Sequence, residues 1–238
     1  FLTTLTAVAM GEVSRFRDMP RFRATGRALA GSIVRWVATT ASRVAAVGPN
    51  DPPARRFGRF GEGTSLGWPT GSGFGERWIW IGNNTLIAPH VTLSAGMGPG
   101  QEMVTEPVVR IGDRCLIGRG TAIVGHLAIE IGDDVFTGMN VYITDQNHGY
   151  ENLDQPIGVQ TPSEEAVTIG SGSWIGSGAI ILPGARIGAH VGAGANSVVR
   201  GVIPDHSVVV GVPARVVRHH DGTEWRRVNP GEFRTDPD

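Results

Sequence analysis

The 238-residue chain contains no lysine, and all 21 of its basic residues are arginine. It has a single cysteine, Cys115, which excludes an intramolecular disulfide framework and any metal cage of several thiolates, and fits a reducing compartment. No run reaches the ~18 consecutive apolar residues of a membrane-spanning helix. Nor does a basic start lead into an apolar block and a cleavage site, so a cytoplasmic protein is expected rather than a secreted one. Charged residues are scarce at 18%, yet 40% hydrophobic residues are too many for a disordered chain. A Gly-x-Gly-x-x-Gly turn between strand and helix, a Walker loop and a Gly-x-Ser-x-Gly elbow are also missing. Nucleotide-binding and serine-hydrolase readings therefore lack support.

What charge there is lies unevenly. Residues 1–77 carry 11 Arg against 5 acidic residues, and residues 78–238 carry 10 Arg against 17. The N-terminal segment is thus basic and suited to meeting an anionic surface. No nucleic-acid partner is expected.

The sequence repeats from residue 78 onward. Aliphatic or small residues recur every six positions at Ile81, Ile87, Leu93, then Ile111, Ile117, Ile123, then Ile131, Thr137, Ile143. The series resumes at Ile169, Ile175, Ile181, Ile187, Ala193 and Val199. Neither the helical period of 3.6 nor the strand period of 2 gives a six-residue recurrence. A parallel β-helix does, because each side of a triangular prism contributes one short strand and one inward residue. Fifteen hexads make about five coils, whose stacking buries what one coil cannot. The glycine that often follows, as at Gly118 and Gly176, suits a corner that needs room or a positive φ.

The phase is interrupted at 95–110, slips by two residues near Ile129, and is lost again at 145–168. Each interruption follows the third hexad of a coil, so all leave the prism at one corner. Loops stacked on a rigid scaffold are where sites are built. Residues 1–77 read as a helical and irregular extension, 78–218 as the β-helix and 219–238 as a tail. Within the extension, Pro20–Val47 reads as an amphipathic helix with Leu29, Ile33, Trp36, Val37, Thr40, Val44 and Val47 on one face. Peripheral membrane contact through this helix is one expectation, and packing on its own domain or a neighbouring subunit is the other. Arg55–Arg77 reads as irregular cover over the first coil.

Two of seven histidines fall at the looped corner. His148 lies near the start of the longest loop, and stacking arithmetic puts His126 one coil below it. An imidazole, with an ordinary pKa of about 6.5, is the natural general base near pH 7. On spacing alone His148 could instead anchor the loop. His126 could bind an acceptor, orient His148, or face solvent. His90 and His190 read as solvated turns.

Three stretches carry a family resemblance: 131–148, Ile169-Gly170-Ser171-Gly172-Ser173-Trp174-Ile175-Gly176-Ser177-Gly178-Ala179, and Gly211-Val212-Pro213-Ala214-Arg215-Val216-Val217-Arg218. They resemble the hexapeptide-repeat acyltransferases, in particular the maltose, galactoside and nodulation sugar O-acetyltransferases. The resemblance implies a left-handed β-helix assembled as a homotrimer, with sites between subunits and no resident metal. It implies acetyl-CoA or another short acyl-CoA as co-substrate and a sugar or glycan hydroxyl as acceptor. His148 takes the position of the family's base. His126, Asp145 and Asn147 fall where the acceptor is bound. Trp174, the backbone N–H groups of Ser177 and Ala195, and the side chains of Arg200, Arg215 and Arg218 fall along the cofactor groove. The chain departs from the galactoside enzymes at Gly118 and His126, where they bind acceptor through Asn and Asp. Two other readings stand beside this one: a trimeric zinc-dependent carbonic anhydrase and a catalytically silent trimeric scaffold.

Overall fold

The computed structural model describes residues 21–229, 232 and 233, with side chains from residue 27 onward. The chain divides into two units, one ending at Val44 and the other running from Ala45. In the first, helix α1 spans Arg21–Val44. It ends ahead of Pro49, and Val47, expected on its apolar face, instead forms an antiparallel bridge with Leu66 in the second unit. The prolines that stop the helix thus release Val47 to a strand.

The second unit is a left-handed parallel β-helix with three faces. Face 1 stacks Arg59–Phe60, Ile79–Ile81, Val109–Ile111, Ile129–Ile131, Val167–Ile169, Arg186–Ile187 and Val202–Ile203. Face 2 stacks Ser65–Leu66, Leu86–Ile87, Leu116–Ile117, Phe136–Thr137, Trp174–Ile175, Gly192–Ala193 and Ser207–Gly211. Face 3 stacks Gly73–Phe74, Thr92–Ala95, Ala122–Gly125, Tyr142–Thr144, Ile180–Ile181 and Val198–Val199. Six coils are therefore complete and a seventh is two-thirds built.

The prism is longer than its hexads at both ends. Residues 59–74, expected as irregular cover, are the first coil, pairing in parallel with the second through Arg59↔Trp80, Ser65↔Leu86 and Gly73↔Leu93. Their inward positions include Phe60 and Gly73, which hide the period. At the other end Ala214–His220 and Trp225–Arg227 extend face 2 antiparallel, so the expected tail begins inside a strand.

The core is the column of hexad residues. Ile81, Ile111, Ile131, Ile169 and Ile187 line up behind face 1, with matching columns behind faces 2 and 3, all essentially inaccessible. Thr137 departs from the pattern at no cost in unpaired groups, because its Oγ1 accepts the Gly118 N–H at 2.8 Å. Gly118 and Gly176 prove to be about room: a Cβ at Gly118 would lie 2.1 Å from the Gly138 carbonyl oxygen. The left-handed conformation is taken two residues later in each turn, by Asn84, Arg114, Asp134, His190 and His206 at one corner and by His90, Asn140 and Asn196 at another. Short polar or aromatic-polar side chains tolerate it best among non-glycine residues.

Candidate functional site

The corner between faces 3 and 1 carries every interruption, with loops at 96–108, 126–128 and 145–166 and tight turns at 182–185 and 200–201. The long loop starts as a short antiparallel pair, Gln146↔Glu164 and Asn147↔Ser163. His148 follows directly, exposed to solvent, and none of its ring atoms is held by another described residue. Next to this root a cavity of about 530 Å³ is lined by Asn147, Glu165, Pro183, Arg186, Arg200 and Val202 among others. Asn147 and Arg200, from opposite ends of the expected site, therefore share one hollow.

Asp145 behaves otherwise than expected. It is fully buried, and its carboxylate accepts the N–H groups of His126 at 2.8 Å, Leu127 at 2.9 Å and Ala128 at 2.7 Å. Its described contacts are thus structural ones, a carboxylate turned into a peptide turn rather than towards solvent. Burial pushes this carboxyl up, and the three N–H bonds oppose that shift only in part. The two-residue slip of the repeat at 126–128 is thus the turn that Asp145 holds.

His126 sits on that turn with only 12% of its side chain exposed, so it is not a solvated corner. Its Nδ1 bonds to Glu164 Oε1, while Nε2 is buried with no partner among the described residues. In the neutral ring, Nδ1–H donates to the carboxylate and Nε2 carries the lone pair. Gln146 Oε1, in register with Glu164, is the other buried side-chain atom here left without a partner. Two buried polar atoms beside one loop root are thus without a partner among the described residues.

The remaining expected residues lie elsewhere on the prism. Trp174 stands exposed on face 2 between Phe136 and Gly192. Ser177 and Ala195 occupy successive turns of the corner between faces 2 and 3. The Met139 N–H in the coil before is capped by Ser177 Oγ at 3.1 Å. The next rungs, Ala195 and Gly211, carry no side-chain acceptor, so the N–H groups of Ser177 and Ala195 are unspent among the described residues. Glycines keep both approachable: a Cβ at Gly138 would lie 2.5 Å from the Ser177 nitrogen, and one at Gly176 2.6 Å from that of Ala195. Arg215 and Arg218 project from Ala214–His220, the strand that follows the last coil, and are exposed.

The expected site residues of one chain therefore fall in two groups, candidate half-sites on different parts of the prism. The loop corner offers His148, His126, Asn147 and Arg200. The other group joins the peptide N–H groups at the corner between faces 2 and 3 to the exposed indole of face 2 and the two guanidinium groups of the strand after the last coil, a set that suits an amide-rich chain ending in phosphates. Among the described residues no three His, Cys, Asp or Glu side chains gather as metal ligands.

The family model for the hexapeptide repeat of succinyl-transferase matches residues 108–145. An Escherichia coli protein named for O-acetyl transfer in lipopolysaccharide biosynthesis is 31% identical over 157 residues, 62% of this chain and 80% of its own length. The chain belongs to the hexapeptide-repeat acyltransferases. The galactoside O-acetyltransferase of Escherichia coli is 31% identical over 143 residues, 60% of this chain and 64% of that one. A Mycobacterium tuberculosis protein named as an acetyltransferase is 36% identical over 143 residues, but the match spans only 43% of its length. A crystal structure of an N-acyltransferase mutant from Bacillus cereus, in complex with dTDP and coenzyme A, has a TM-score of 0.59 at 22% identity. It covers 72% of this chain and 90% of that one, a likeness of fold.

For this hexapeptide-repeat acyltransferase, sequence reasoning missed Glu164, whose only signal was its place before the repeat resumes. It also missed Gly138 and Gly176 as the residues that uncover the two N–H groups. The space beside a glycine becomes visible only when the next coil is in place.

Proposed function

We propose that the chain is a CoA-dependent O-acyltransferase that moves an acetyl or similar short acyl group to a hydroxyl of a sugar or glycan. The observation that carries this reading is the exposed, unengaged His148 at the root of a loop beside the cavity shared by Asn147 and Arg200. The names of the two Escherichia coli relatives support a sugar-bearing acceptor and transfer to oxygen.

Acyl-CoA supplies the acyl group already activated as a thioester. His148 takes the proton of the acceptor hydroxyl as its oxygen forms the new C–O bond, and returns that proton to the departing sulfur as the C–S bond breaks. Such a positioned base contributes about 10²–10⁴-fold. The Ser177 N–H donates to the oxygen on which charge develops, a donor fixed beforehand by the turn. The Ala195 N–H, Trp174, Arg200, Arg215 and Arg218 hold the co-substrate. His126, through its unpartnered Nε2, and Asn147 bind the acceptor. Because the two half-sites occupy different corners, a C3 homotrimer that sets one subunit's loop corner against its neighbour's Ser177 corner completes the reaction chamber.

Thiol release from acetyl-CoA with a panel of glycosides as acceptors tests the base. His148→Ala should lower kcat by about 10²–10⁴-fold while CoA affinity, measured by calorimetry, stays within about two-fold. Turnover close to wild type would refute the assignment.

A further inference from the structure

Among its described residues, helix α1 buries no large apolar side chain. Leu29, Ile33, Trp36, Val37 and Val44 are 66%, 54%, 68%, 51% and 80% exposed. At 100° per residue these five fall within about one third of the helix circumference, and Val34, 67% exposed, lies outside that stripe. Residues 21–44 also contain five arginines, at 21, 23, 27, 35 and 43, and no aspartate or glutamate. The positions of Arg27 and Arg35 lie opposite the apolar stripe, and that of Arg43 lies on its flank.

Three kinds of cover for such a stripe can be weighed on charge. A second copy of the helix would bring five more arginines against the first five, with no acidic residue to offset them. A nucleic acid would satisfy the arginines and leave Leu29, Ile33 and Trp36 in water. An anionic lipid surface satisfies both sides at once, since the stripe enters the acyl boundary while guanidinium groups reach headgroup phosphates. Tryptophan at the edge of the stripe suits that boundary. No helix among the described residues is long and apolar enough to cross a membrane, so α1 would lie in the plane of the surface.

We propose that α1 docks the chain on an anionic phospholipid surface, with Leu29, Ile33, Trp36, Val37 and Val44 inserted and the arginines on phosphate. This binding is separate from the acyl-transfer reading and needs no residue of its site.

Flotation of the 238-residue chain with vesicles tests it. Partition onto vesicles of phosphatidylcholine with about one third phosphatidylglycerol should exceed that onto pure phosphatidylcholine by about ten-fold or more. Ile33→Glu with Trp36→Glu should abolish flotation on both vesicles. Arg27→Glu with Arg35→Glu should remove most of the anionic preference. Thermal unfolding of the β-helix, unchanged in both double variants, serves as the folding control. Failure of the wild-type chain to float, equal partition on the two vesicle types, or wild-type flotation of the Ile33/Trp36 variant would each overturn the proposal. A lipid-free self-association lost in that variant, without flotation of the wild type, would overturn it in favour of pairing between copies.

Discussion

His126 illustrates how one neighbour decides what an imidazole can do. Glu164 on Nδ1 settles the neutral tautomer and leaves Nε2 as a buried acceptor, whereas a ring facing solvent would be free to donate from either nitrogen. An acceptor-binding His126 therefore accepts a hydrogen bond from a sugar hydroxyl. His126→Ala should raise the acceptor KM several-fold with a smaller effect on kcat, a loss of binding shared by ground and transition states. Glu164→Gln should shift KM in the same direction, because the Gln amide can donate to Nδ1 and so turns Nε2 into a donor. Steady-state constants unchanged in both variants would leave the pair a purely structural contact.

At the scale of the element, the long loop is rooted by a carboxylate belonging to the coil it leaves. Asp145 ties the 126–128 turn to the loop through three N–H bonds, and the Glu165 N–H returns to the Asp145 carbonyl at 2.8 Å. Asp145→Ala deprives three donors of one acceptor and should lower stability by about 2–3 kcal/mol in urea titration, tempered by partial hydration of the turn. Its pH dependence follows from burial raising the carboxyl above the ordinary 3.8 in the folded state. A raised native value favours the protonated native protein. The contribution is therefore full below about pH 3.8 and is lost as pH rises through the native value. Asp145→Asn lacks this titration, so the stability gap between wild type and variant should narrow as pH rises above about 3.8. A gap that widens with pH would show that the three N–H bonds outweigh burial.

At the scale of the whole molecule, the proposed site residues stand on separate corners of the β-helix unit. Stacked coils do not bend one corner towards another, so under the proposed function the exposed His148 and the N–H groups of Ser177 and Ala195 would meet across a subunit boundary. Sedimentation equilibrium at micromolar protein should return three times the chain mass of 25.2 kDa. Mixing His148→Ala subunits with subunits carrying Gly176→Phe, each nearly inactive alone, should restore part of the activity if the half-sites come from neighbours. A monomeric mass, or no recovery in verified mixed trimers, would refute the shared site.

The sequence alone determined the prism from residue 78 and the corner at which its loops leave. Six-residue spacing is a local property, and each hexad closes one side whatever the neighbouring coils do. The loss of phase at 145–168 also marked the loop that carries His148, whereas Asn147 and Arg200 were expected from the family resemblance alone. Only the tertiary structure decided which polar groups those interruptions bring together. Asp145 turned inward because three N–H groups of the preceding coil lay within reach, and His126 was captured by a glutamate 38 residues away. The first coil was hidden because Gly73 breaks the aliphatic pattern, so parallel pairing with the second coil defines it. Contacts between coils depend on register, and register is fixed only when the rod is stacked.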